Sequence, residues 1–193
     1  MERNELFPIF LKLKQLRVLI VGGGYVGMEK LQAVISNSPA ATIRLVATII
    51  SDEIKELSKH YPAITLIEKP YDITDFDAID IAIAAINDPV ISKQVALDAK
   101  SKAILVNAAD KPEWCDFYLG SVVQKGNLKI AISTNGKSPT IAKRLKEVLN
   151  DTLPDEIDDL LSNMQTIRNK MSGDFTEKVK QLNEITKKLS ENK

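Results

Sequence analysis

The stretch "LIVGGGYVGMEK", residues 19–30, decides how the first half of the chain is read. An apolar, β-branched run, "LRVLIV" at 16–21, stops at three glycines, and a fourth follows at Gly27. The segment beyond, "YVGMEKLQAVIS" at 25–36, has helical spacing. Gly22-x-Gly24-x-x-Gly27 therefore sits between a strand and a helix, the context that gives this spacing meaning. The first glycine permits a tight turn, the second admits a pyrophosphate to the backbone, and the third lets helix and strand pack closely. The unpaired N–H groups of the helix start then face the phosphates.

The same alternation continues. Strands are expected at 42–49, 63–69, 79–85 and 103–109, with helices at 51–60 and 88–100. Ser51 caps the first of these helices, and Pro89 occupies the first turn of the second. Continuous apolar strands between helices predict a parallel sheet covered on both faces, an α/β Rossmann-type domain.

Beyond residue 112 the pattern changes. Residues 116–134 read as two strands joined by a turn at Lys125-Gly126-Asn127, and 138–150 as a helix capped by Ser138 with Pro139 at its first position. The charged tail carries two helical stripes. Ile157, Leu160, Leu161, Met164, Ile167 and Met171 form one; Phe175, Val179, Leu182, Ile185 and Leu189 form the other, with Gly173 between. These stripes suit core or dimer packing. The expected organisation is a dinucleotide-binding domain at 1–112, a small α+β region at 113–150 and a C-terminal helical domain at 151–193.

Composition narrows the partners. Lys plus Arg and Asp plus Glu both number 26, so the 193-residue chain has no net charge to favour nucleic acid or an anionic membrane surface. No apolar run approaches the length of a bilayer span, and the N-terminus lacks a signal-peptide pattern. A single cysteine, Cys115, forms no internal disulfide, which fits a reducing, cytoplasmic setting. Its expected role is that of a small buried hydrophobe. His60 is the only histidine and stands apart from any ligand pattern, so no metal site is expected.

The end of the second strand, Val46-Ala47-Thr48, lacks the acid that usually holds the adenosine ribose. Asp52 and Glu53 begin the next helix instead, and no Arg follows the strand to meet a 2′-phosphate. After the fifth strand stands Asp110 in "NAADKP". Two readings are open for it: an Asx-type turn bonding its own backbone, or a carboxylate at the strand ends where such folds place their ligands.

Five stretches together resemble the precorrin-2 dehydrogenase family, the N-terminal module of siroheme synthases. They are "FPIFLKLKQLRVLIVGGGYVGMEK", "AIAAINDPVISKQV", "LVNAADKPEWCDF", "GNLKIAISTNGKSPTIAKRLK" and the "LP" at 153–154, covering about residues 6–155. The resemblance implies oxidation of precorrin-2 to sirohydrochlorin with NAD. Some members also insert ferrous iron, and a ferrous or cobaltous ion is then a further substrate. It also implies a homodimer built through the region after the nucleotide-binding domain. A methyltransferase domain, present in bifunctional members, is not expected within these 193 residues.

By motif, the resemblance assigns Gly22, Gly23, Gly24, Tyr25, Val26 and Gly27 to the pyrophosphate, and Asn87 and Asp88 of "AAIND" to the adenosine side. It makes Asp110 the catalytic carboxylate. Thr134 keeps a hydroxyl where Ser is frequent, and Asn135 stands where Gly is common, a position where positive φ is expected. The substrate's carboxylates need donors. Lys137, the helix start at Ser138, and Arg144 are the candidates, against the plainer reading of a solvated helix face. A competing class, a dinucleotide-sensing regulatory module without catalysis, accounts for residues 16–109 but not for the "STNGKSP" helix start.

Overall fold

The structure is a computed structural model that describes residues 3–171 and 175–187. It divides into two compact units, Met1–Leu119 and Gly120–Lys193.

In the first unit five parallel strands, β1 (Arg17–Val21), β2 (Thr42–Ala47), β3 (Ile64–Glu68), β4 (Ile81–Ala84) and β5 (Leu105–Ala108), form one sheet in the order β3-β2-β1-β4-β5. The expected parallel sheet is present, and each strand falls within the run that predicted it. Helices α1 (Tyr25–Asn37), α2 (Asp52–Ser58) and α3 (Pro89–Ser101) cover it. Alternation along β1 divides the core. Val18 and Ile20 pack with Leu31, Val34 and Ile54 of α1 and α2, while Leu19 and Val21 pack with Phe76 and with Val95 and Ala99 of α3. Burying a large aliphatic side chain stabilises by about 1.5–3 kcal/mol, so these two layers dominate the unit's stability.

The crossover from β3 to β4 holds no α-helix, only a 3-10 turn at Ile73–Phe76. A capping box of Asp72 and Asp75 closes it, and buried Asp75 also accepts from Lys69 Nζ at 2.8 Å. Arg44 reaches from β2 to donate to the carbonyls of Asp75 and Asp77 at 2.8 and 3.1 Å. At the amino end of the sheet, Arg17 grips Asp80 with Nε and Nη2, both at 2.8 Å. That guanidinium holds the Asp80 carboxyl down at about 2.

Helix α3 ends in a Schellman motif. The N–H of Ile104 donates to Ala99 O at 2.9 Å and that of Ala103 to Lys100 O at 3.1 Å. Ala103 takes φ +55°, a left-handed conformation usually left to glycine.

In the second unit β6 (Ser121–Lys125) and β7 (Leu128–Ile132) pair antiparallel, and Lys125 faces Leu128 across the Gly126-Asn127 turn. Gly126 has φ +53°, as a two-residue hairpin loop requires. Helix α4 (Pro139–Thr152) packs on the hairpin, with Val123 and Ala142 buried. The turn is held against the start of α5 (Ile157–Lys170): Asn127 donates through N and Nδ2 to Asp158 Oδ1 at 2.7 and 2.9 Å. Lys125 pairs with Asp155 just ahead of that helix.

The first tail stripe lies on α5, where no side chain is fully buried, with Met171 as its C-cap, and the second runs along α6 (Phe175–Thr186). Gly173 and Leu189 lie outside the described residues. Among the described residues no helix is long and apolar enough to cross a membrane.

Candidate functional site

The order β3-β2-β1-β4-β5 reverses direction between β1 and β4. In open parallel sheets the crevice beyond that switch point is where ligands bind. Here it is a cleft of about 330 Å³. Its walls come from the segments after β1 (Gly22 to Val26), after β2 (Thr48, Ile49), after β3 (Tyr71) and after β4 (Ile86, Asn87), with Ile91 of α3.

The four glycines play different parts. Gly22 has φ +128°, and a Cβ there would lie 2.1 Å from Ala85 O. A Cβ on Gly23 would lie 2.3 Å from Ile49 O, and one on Gly27 2.1 Å from Gly22 O. These three let chain segments meet. Gly24 differs: a Cβ there meets nothing within 4 Å, because its missing side chain faces the open cleft.

Gly24 is also the N-cap of α1 and brings no capping side chain. The first-turn N–H groups of Tyr25 and Val26 are therefore left to the cleft, since a helix does not pair its own first donors. Such a backbone cradle, unoccupied by any Cβ and set at a positive helix end, fits a pyrophosphate.

Asn87 lines the cleft, whereas Asp88 serves as N-cap of α3, its Oδ1 accepting from Val90 N at 2.8 Å and Ile91 N at 3.2 Å. At the end of β2 the wall is Thr48 and Ile49, and the acids of that region, Asp52 and Glu53, stand in the first turn of α2.

Asp110 lies on the loop leaving β5, at φ +58° and exposed. The turn expected there exists, but it is closed by the backbone, Lys111 N donating to Ala108 O at 3.2 Å. Among the described residues the Asp110 carboxylate has no hydrogen-bond partner, so it does not form the Asx bond to its own backbone. A left-handed non-glycine residue whose side chain does nothing for the fold is the kind of strain found at functional sites.

Cys115 stabilises this loop from beneath. Its thiol donates to Ala108 O at 3.1 Å, with Lys111 O at 3.3 Å, and accepts from Ala108 N at 3.2 Å. Burial pushes the thiol's pKa up, which keeps it protonated and unreactive. The sequence reading of Cys115 as a small hydrophobe misses these bonds; the thiol is half-buried and serves as a polar pin. Asn107 and Asp116 complete the closure: Asn107 Nδ2 donates to Phe117 O at 2.8 Å, and Asp116 accepts from Val106 N at 3.0 Å.

Thr134, Lys137, Ser138 and Arg144 belong to the second unit. Thr134 Oγ1 accepts from Ser138 N at 3.2 Å and approaches Ser138 O at 3.1 Å, so it fixes the entry to α4. Ser138 is the N-cap, its Oγ accepting from Ile141 N at 3.2 Å. Asn135 has φ +53°, as expected, and Gly136 follows at +74°. Lys137 is exposed, and Arg144 donates to Glu147 at 2.7 Å on an open helix face. Among the described residues no three His, Cys, Asp or Glu side chains cluster as a metal site.

Sequence reasoning missed Tyr71. It follows β3 outside any motif, and it lines the cleft from the segment that leads into the 3-10 turn.

Comparison with known proteins agrees with this geometry. Residues 9–121 match the family model described as NAD(P)-binding, and residues 125–151 that described as sirohaem biosynthesis protein central. The siroheme synthase of Psychrobacter cryohalolentis is 38% identical over 151 residues, 77% of this chain and 28% of that protein. The siroheme synthase of a second Psychrobacter strain is 36% identical over 177 residues, 90% of this chain and 34% of that protein. This chain thus spans about a third of the length of these curated relatives. The solved structure of SirC, precorrin-2 dehydrogenase, is 26% identical with a TM-score of 0.74, covering 96% of this chain and 93% of that one. The chain belongs to the NAD(P)-binding family defined by that model, in the group it shares with siroheme synthases and SirC.

Proposed function

We propose that this chain oxidises precorrin-2 to sirohydrochlorin with NAD as oxidant, in the cytoplasm and as a homodimer. The observation that carries the reading is the likeness to SirC over 93% of that chain, joined to a glycine cradle open at Gly24. Gly24, Tyr25 and Val26 would hold the dinucleotide's pyrophosphate, with Gly22, Gly23 and Gly27 letting the surrounding segments close around it and Asn87 on the adenosine side. When bound, the nicotinamide accepts a hydride from the macrocycle.

The lining of the cleft draws on the loops after β1, β2, β3 and β4 and not on the loop after β5. In this reading the reacting end lies on the β5 side, where Asp110 presents its unengaged carboxylate. Asp110 takes up a proton released as the conjugation extends, and its backbone turn keeps it aimed without spending the carboxylate on structure. Thr134 and Ser138 shape the start of α4, and Lys137 and Arg144 supply cationic donors for the substrate's carboxylates.

Residues 113–150 would build the two-fold interface, with 151–193 as an accessory helical domain. On α4, Ile141, Leu145 and Val148 form an outward apolar stripe, 56%, 45% and 58% exposed, which supports such an interface.

An anaerobic assay with precorrin-2 and NAD tests the reading. NADH and the sirohydrochlorin spectrum should appear together; NAD binding without turnover would instead favour a sensing module. Ferrous or cobaltous ion added afterwards tests metal insertion as a second activity of the Asp110 site.

A further inference from the structure

The adenosine end of the cleft poses a problem that the family reading leaves open. The loop after β2 offers Thr48 and Ile49, with no carboxylate to fix a ribose and no cation for a 2′-phosphate. Something else has to hold that half of a dinucleotide.

Beside Thr48 and Asn87, the lining there is apolar or aromatic: Ile49, Ile86, Ile91 and Tyr71. Tyr71 is the aromatic member on the β3 side, and two contacts fix its ring. Phe76, fully buried, meets it edge-on, with ring centroids 6.1 Å apart at 89°. Its hydroxyl donates to Asp98 Oδ2 at 2.7 Å. Asp98 is itself only 8% exposed and is oriented by Gln94 Nε2 at 2.8 Å on its other oxygen. Burial and the Asp98 carboxylate push the phenol's pKa up, so it remains a donor. Both oxygens of this buried carboxylate are hydrogen-bonded, as a buried charge requires, and one of the two bonds holds the Tyr71 ring. The glycine loop, Asp110 and the α4 entrance do not use this pair.

We propose that Tyr71 is the stacking wall of an adenine slot and that Asp98 is the residue that positions it. The inference rests on the dinucleotide reading of the cleft. In it, a pre-set aromatic face replaces the missing ribose carboxylate as the main determinant of adenosine affinity. Holding the ring before binding spares the ligand the entropy of ordering it.

Calorimetric titration of the full chain with NAD, ADP-ribose and nicotinamide mononucleotide tests this. Tyr71→Ala should weaken NAD and ADP-ribose alike, by about 5- to 150-fold, the range for loss of one base–aromatic stack. Nicotinamide mononucleotide, which lacks adenine, should bind as it does to the wild type. Asp98→Ala should weaken the same two ligands by a smaller factor, and Asp98→Asn, which keeps an acceptor for the hydroxyl, should restore them. A merely structural Asp98 would lower the melting temperature without separating adenine-bearing from adenine-free ligands.

Should Tyr71→Ala not fold, magnetisation transfer from the Tyr71 ring to adenine H2 and H8 in the wild type decides the question. Its absence overturns the proposal. Unchanged ADP-ribose affinity in a folded Tyr71→Ala overturns it while leaving the dinucleotide reading intact. A wild-type chain that binds none of the three ligands overturns both.

Discussion

Two loops leave the carboxyl edge of the same sheet, and they handle backbone strain in opposite ways. After β1, the positive φ falls on Gly22 and the closest approaches on Gly22, Gly23 and Gly27. After β5, the positive φ falls on Asp110, and the cost of about 1–3 kcal/mol for such a conformation is carried by a residue with a side chain. In the proposed function, the first loop clears side chains away so that backbone N–H groups meet the dinucleotide, and the second carries strain on the residue whose carboxylate meets the substrate. Glycine marks the former in the sequence; nothing so plain marks the latter.

The largest expected effect breaks the second loop's half of this contrast. Asp110→Asn keeps size and tolerance of left-handed φ, so fold and NAD affinity should persist. The anaerobic rate of NADH formation from precorrin-2 should fall by about 10²–10⁴-fold, the usual worth of general base catalysis. A rate within about threefold of wild type would return Asp110 to a turn-forming role.

The next pair sharpens the first loop. Gly24→Asp adds a charge where a Cβ meets open space. It should cost NAD binding several kcal/mol through like-charge apposition with the pyrophosphate, at an unchanged melting temperature. Gly27→Ala should do the reverse in kind. Its Cβ would press on Gly22 O, costing about 1–3 kcal/mol of stability, readable by denaturant titration. Equal loss of stability in both variants would erase the distinction between cradle and packing glycines.

A smaller effect probes what supports Asp110. Cys115→Ala removes the thiol's bonds to Ala108 and should cost about 1 kcal/mol. The reaction rate should fall only a fewfold, far less than for Asp110→Asn, because the carboxylate remains. Cys115→Ser, which keeps a donor and acceptor, should recover part of both.

Much of this was legible in the sequence because it is local. Each strand of the parallel sheet came from an apolar run, the starts of α2, α3 and α4 from Ser51, Pro89 and Ser138-Pro139, and the hairpin from Gly126-Asn127. The glycine loop was legible because its spacing records a backbone constraint. The rest depends on chain segments meeting across distance. Tyr71 and Asp98 are 27 residues apart, and Arg44 reaches carbonyls more than 30 residues away. Neither pairing leaves a periodic trace. For Asp110 the sequence left two readings open; the structure closes the turn through the backbone and leaves the carboxylate out of it, because that closure depends on the path of the loop and not on the residue type. For Cys115 the residue type suggested burial, and only the loop's path revealed a hydrogen-bonding thiol.

The Schellman end of α3 bears on how this protein could be hardened for use as a reagent. Ala103 occupies the one position of that motif where a methyl group is a liability. A left-handed L-residue costs roughly 1–2 kcal/mol, and introducing glycine returns about 0.4–1 kcal/mol to the unfolded chain's freedom. Ala103→Gly should therefore raise stability by about 0.5 kcal/mol, a rise in melting temperature of a degree or two that differential scanning calorimetry can resolve. The site lies at the amino end of β5, remote along that strand from the edge where Asp110 stands, so the gain should come without a change in NAD affinity.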